Sequence, residues 1–101
     1  MLNIYITDLA AYNTGSLVGQ WVSLPLDRFE LSQVISQILI NGEQSTDGVN
    51  HEEIFITDYE WSFMTKEIRK IGEYEDPYRL NKEAFLLSEL ISHSPELHHF
   101  K

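Results

Sequence analysis

Apolar and polar residues alternate at the start of the chain, with Leu2, Ile4 and Ile6 on one face and Asn3, Tyr5 and Thr7 on the other. A period of two built from strong strand formers predicts a first β-strand ending near Asp8. Between Ala11 and Ser16, Asn13 and Gly15 tolerate left-handed backbone angles, so this stretch is the turn into a second, antiparallel strand from about Leu17 to Leu24. Gly19 inside that strand weakens the ladder and marks a bulge or a close approach by another backbone.

After Pro25 the period changes. Asp27 stands three residues before Glu30, the spacing of a capping box at a helix start. Leu31, Val34, Ile35, Ile38 and Leu39 then recur at helical spacing, an apolar stripe able to lie across one sheet face, and Asn41-Gly42 supplies the expected stop. Glu43 to Asn50 is polar and reads as an exposed loop, after which Glu53 to Asp58 resumes strand character. Beyond residue 60 a short turn or helix is expected around Thr65 to Lys70. A longer helix follows Asp76-Pro77, a cap with proline at the first helical position. Its buried stripe is Leu80, Ala84, Leu87 and Ile91, and Ser94-Pro95 ends it, because the residue before proline avoids helical angles.

The expected fold class is therefore α+β: a small antiparallel sheet of about three strands packed with one helix, followed by a helical segment. A boundary near residue 60 divides an α/β region, 1–60, from a helical region, 61–101, as subregions of one small chain. At 101 residues, with 43% hydrophobic and 12% aromatic residues, the chain has the apolar content of a folded protein. Cysteine is absent, which removes disulfides, thiolate nucleophiles and cysteine-based zinc sites and is compatible with the reducing cytoplasm where the protein is expected. No signal-peptide pattern follows Met1, and no segment approaches the ~20 apolar residues of a membrane span.

Charge changes the picture most. The chain carries 16 acidic and 7 basic residues, a net charge of −9. Nine of the carboxylates but only one base, Arg28, fall in residues 1–60, so the excess belongs to the strand and helix region. Direct binding of duplex nucleic acid needs clustered Lys and Arg and is excluded as a reading, as is attraction to an anionic membrane. An acidic surface can simply keep a small protein soluble. The sharper reading is that the carboxylates stand for phosphates: Asp8, Asp27, Glu30, Glu43, Asp47, Glu52, Glu53, Asp58 and Glu60, with Glu73, Glu75 and Asp76 beyond them. Alternate residues of a strand lie roughly 6.8 Å apart, commensurate with the ~3.4 Å charge repeat along one DNA strand. Nine net charges cannot match the density of duplex DNA, so mimicry requires several carboxylates gathered on one face, or an extended array built from several copies or further domains.

The run Asp8-Leu9-Ala10-Ala11-Tyr12-Asn13-Thr14-Gly15-Ser16-Leu17-Val18-Gly19-Gln20-Trp21 resembles the opening of the ArdA antirestriction proteins. Ile56-Thr57-Asp58-Tyr59-Glu60 resembles that family's second signature, and Ile71-Gly72-Glu73-Tyr74 with Leu80-Asn81 is similar to its helical middle segment. The resemblance implies an elongated DNA mimic carried by mobile elements, which occupies the DNA-binding groove of type I restriction-modification enzymes. It also implies a third, dimer-forming domain beyond Lys101, so the chain reads as an amino-terminal fragment or a short relative, with a homodimer as the family's assembled state. Asp8, Asp58 and Glu60 fall within the matching motifs; Asp8 equally suits a turn cap, and Trp21 and Tyr12 suit core or turn packing. Tyr59-Glu60-Trp61 suits packing onto the helical part or a binding edge.

Other chemistries leave no pattern. His98-His99 lacks a metal-ligand spacing, Glu52-Glu53 and Asp58-Tyr59-Glu60 lack partners for acid-base work, Asp47-Gly48-Val49-Asn50 fails the calcium-loop spacing, and no glycine-rich phosphate loop occurs. No enzyme activity, cofactor or metal is expected. The runner-up readings are a DNA mimic aimed at another defence protein, such as a CRISPR effector, and an acidic interaction module that contacts proteins through Tyr59 and Trp61.

Overall fold

The computed structural model describes residues 1–46, 50–62 and 67–93. The alternating start of the chain forms β1 (Leu2–Asp8), and the element order continues with α1 (Leu9–Asn13), β2 (Gly19–Leu24), α2 (Arg28–Ser45), β3 (Ile54–Trp61) and α3 (Pro77–Ser92). β1 is the central strand of a three-stranded sheet of order β2-β1-β3, antiparallel to both neighbours. The α+β class is as expected.

Strand parity decides which side chains are buried. Leu2, Ile4 and Ile6 face the helices and are fully buried, with Val22 and Leu24 of β2 beside them. Leu31 and Ile38 of α2 and Leu80 and Ala84 of α3 close the same core, so one apolar cluster spans the boundary near residue 60. Each fully buried leucine or isoleucine contributes on the order of 2 kcal/mol by leaving water.

β3 breaks the alternation once. Tyr5 pairs with Asp58 and Ile6 with Ile56, leaving Thr57 as the extra residue of a bulge. Ile54 and Ile56 therefore face the core before the bulge, while Tyr59 and Trp61 do so after it, and Asp58 and Glu60 are turned to the opposite face. Trp61 is buried and its indole N–H donates to Arg69 O at 2.9 Å, so this aromatic packs against the segment leading to α3. Tyr59 is half-buried, with its hydroxyl donating to Glu67.

Several local expectations are corrected. The β1–β2 connection contains the single turn of α1, and β2 begins at Gly19 rather than Leu17. The left-handed residue of that connection is Gly15, at φ 90°. The irregular point of the sheet lies on β3, whereas Gly19 provides the close approach: a Cβ there would stand 2.4 Å from Ile6 O and 2.6 Å from the Tyr5 ring. α2 passes through Asn41-Gly42 and ends at Ser45, because Gly42 serves a contact and not a stop. Ile68 and Arg69 form a bend; Thr65, Lys66 and Ser94-Pro95 lie outside the described residues.

Asp27 and Asp76 cap α2 and α3 as expected. Asp27 Oδ1 accepts from Phe29 N at 2.8 Å and Glu30 N at 3.4 Å, and Asp76 Oδ1 accepts from Tyr78 N at 2.9 Å. α3 is tied to the β2–α2 connection by Asn81, whose side-chain amide exchanges two 2.8 Å hydrogen bonds with the backbone of Leu26. The molecule measures 52 × 25 × 17 Å, with a radius of gyration of 15.3 Å. A compact globule of this length would have about 13 Å, so the chain is elongated.

Candidate acidic interface

α2 and α3 cover the inner face of the sheet. On the outer face the register sets Trp21, Tyr5 and Asp58 in one row and Ser23, Asn3 and Glu60 in the next. Asp58 and Glu60 are exposed and two residues apart on β3, roughly 6.8 Å along an edge strand. The segment after Ile71 runs beside that edge, where Ile56 N–H donates to Glu73 O at 2.8 Å, and this bond brings the exposed Glu73 next to the sheet. Glu52 and Glu53, also exposed, lead into the same strand. Asp58, Glu60 and Glu73 thus gather along β3, with Asp58 and Glu73 lining a shallow recess of about 470 Å³ together with aromatic side chains, whereas Glu52 and Glu53 line a second recess with Leu9, Ala10 and Asn13.

The remaining predicted carboxylates lie elsewhere. Asp8 continues the core-facing parity of β1 and is fully buried. Its Oδ1 accepts from Ala11 N at 3.2 Å, capping α1, and its Oδ2 accepts from His51 Nδ1 at 2.6 Å. Asp8 is thus an internal cap and presents no charge to a partner. Glu43 is half-buried, and its Oε2 accepts from His51 N at 2.9 Å. Asp27, Glu30 and Asp76 are exposed, but at the starts of the helices that cover the inner face. Asp47 lies outside the described residues.

Glu75 is already neutralised. Arg69 reaches it through two nitrogens, Nη2 to Oε1 at 2.8 Å and Nη1 to Oε2 at 3.0 Å, and grips Glu83 with two further bonds of 3.0 Å. These hydrogen bonds from Arg69 hold the Glu75 carboxyl below its usual value of 4.5, against a smaller opposing effect of burial, and the two carboxylates push the Arg69 guanidinium upward. A carboxyl lowered in the folded state contributes stability that is present above its ordinary value and lost as pH falls through the folded one. Both partners are about one-third exposed, so Glu75→Gln should cost only about 0.5–1 kcal/mol at pH 7. In chemical denaturation the difference from wild type should vanish well below pH 4.5.

The aromatic part of the recess was hidden in the sequence. Trp21 and Tyr12, which suit packing positions by residue type, remain about half exposed, at 49% and 51%. Trp21 meets Tyr5 edge to face at 5.4 Å, Tyr12 meets Phe55 at 5.1 Å, and Tyr74 stacks on Phe55 at 6.1 Å. The Tyr5 ring lies across Gly19, where a larger residue would push it away. The signal that could have shown this face was parity: Tyr5 sits opposite the core residues Ile4 and Ile6.

The turn after β1, most of the edge strand, and Asp58, Glu60 and Glu73 fall in the three segments that carry the family resemblance. The family model of the antirestriction protein ArdA matches residues 4–100. The chain belongs to the ArdA antirestriction family. No individually curated protein matches it. As a member of the ArdA family it has an antirestriction function, and restriction enzymes are its partners in the general sense of that function. Among the described residues, no helix is long and apolar enough to cross a membrane, and no group of three or more His, Asp or Glu is placed to hold a metal ion.

Proposed function

We propose that this ArdA protein is a surrogate for DNA that occupies the DNA-binding groove of a type I restriction-modification enzyme and so protects incoming mobile DNA. The observation that carries this reading is the acidic row along β3: Asp58 and Glu60 are exposed on the outer face of the edge strand, Glu73 is held beside it, and Glu52 and Glu53 are exposed just ahead of it, on an elongated molecule. The bulge at Thr57 and the Ile56–Glu73 bond supply the geometry that gathers three of them at the sheet's outer edge. A cleft that neutralises phosphates with Lys and Arg is complementary to such a row.

Charge arrays of this kind raise encounter rate and give salt-dependent affinity, because exposed charges are screened over ~8 Å at physiological ionic strength. The protein should therefore displace labelled duplex DNA from a type I restriction-modification enzyme, and its inhibition constant should weaken at least several-fold between 50 and 200 mM salt, by analogy with the roughly 10³-fold or larger change of DNA-binding proteins. Inhibition indifferent to both added duplex and salt would overturn the reading.

A further inference from the structure

The outer-face recess is not merely acidic. Its lining is mainly aromatic, with Tyr5, Tyr12, Trp21 and Phe55 beside Leu17 and Thr57, and it includes Asp58 and Glu73, with no base among its described lining residues. We propose that this recess receives an arginine side chain of the inhibited enzyme, an inference that rests on the DNA-surrogate reading above.

The lining selects the occupant. An anion would be repelled by Asp58 and Glu73, and a neutral apolar group would strip water from both carboxylates without replacing its hydrogen bonds. A cation meets favourable charge twice, from the carboxylates and from the negative faces of the rings. Arginine fits better than lysine, because its planar, weakly hydrated guanidinium stacks on aromatic surface while its fork of N–H groups pairs with carboxylates. The chain's own Arg69 shows how two carboxylates hold one guanidinium, each through two nitrogen contacts of 2.8–3.0 Å. The source is a protein because the recess is open and continuous with the exposed β3 row of Asp58 and Glu60, the row that would face a cleft of phosphate-binding side chains. A seated arginine makes the recess an anchor, so binding energy is concentrated there and not spread evenly over the acidic line.

Two measurements test this. In the first, N-acetylarginine amide is titrated into the wild-type chain and the two indole N–H signals are followed by NMR. The Trp21 signal should shift with saturation while that of Trp61, buried and bonded to Arg69 O, stays in place, and N-acetyllysine amide should bind several-fold more weakly. Equal or absent responses to the two amides would overturn the proposal. In the second, Trp21→Ala and Tyr12→Ala are compared with wild type in duplex competition on the restriction enzyme. Because both residues are half exposed, the variants should keep the thermal stability that certifies their fold, and each should lose about tenfold in affinity with the salt dependence unchanged. Full affinity in both variants sinks the arginine anchor and leaves the surrogate reading standing. Failure of wild type to compete with duplex sinks the surrogate reading and the enzyme-arginine proposal resting on it, and the amide titration then decides whether the recess still prefers a guanidinium.

Discussion

Gly42→Ala should destabilise the protein by about 3 kcal/mol or more, although alanine is favoured over glycine inside a helix by about 1 kcal/mol. The added Cβ would stand 1.7 Å from Asp8 Oδ2 and 2.6 Å from its Cγ, where the buried carboxylate has no room to retreat. Moving Asp8 would break its cap on Ala11 N and its bond to His51, and moving α2 would open the core around Ile38. Asp8→Ala alone should also be costly, about 3 kcal/mol from the lost cap and the lost bond to buried His51. Made together, the two changes should be far less than additive, because the carboxylate that collides is gone and only the 3.1 Å approach to Asp8 Cβ remains. Urea denaturation of the four chains measures this coupling. Additive losses would show that Gly42 and Asp8 act independently.

The same contact explains where sequence reading succeeded and where it stopped. Period-two and helical stripes located all three strands, α2 and α3, because each has one buried face and burial imposes its period. Asn41-Gly42 looked like a helix stop, since local propensity contains no information about a carboxylate packed against the glycine from another strand. The alternation also carried a sign that the reading of Asp8 as a phosphate stand-in left unused: Asp8 follows Leu2, Ile4 and Ile6 on the core-facing parity, where an acid must be satisfied internally. Its partner His51 was not legible, being 43 residues away in sequence. Of the candidate carboxylates, charge and motif could name Asp58, Glu60 and Glu73 but could not separate them from Glu75, whose pairing with Arg69 depends on how residues 69–75 fold back toward α3.

The bulge is the least visible feature and controls the most. Its trace in the sequence is a spacing of three between Ile56 and Tyr59, flanked by pairs of core residues at spacing two. Deleting Thr57 should restore a regular ladder with every remaining side chain on its present face, since Asp58 already pairs with Tyr5 and Ile56 with Ile6. The cost should be about 1 kcal/mol, chiefly the 2.8 Å hydrogen bond between the Thr7 and Thr57 hydroxyls, and competition with duplex should persist. Deleting Tyr59 removes the same number of residues with the opposite result. The ladder then regularises by bringing Asp58 opposite Ile4, on the core face where Tyr59 now stands, where an unpaired carboxylate costs several kcal/mol and a half-buried aromatic has been lost as well. Against a typical stability of about 5–15 kcal/mol, that chain should be largely unfolded or strongly destabilised by circular dichroism, while the Thr57 deletion melts cooperatively near wild type. If both deletions behave alike, parity is not what turns Asp58 and Glu60 outward, and the acidic line along β3 loses its structural cause.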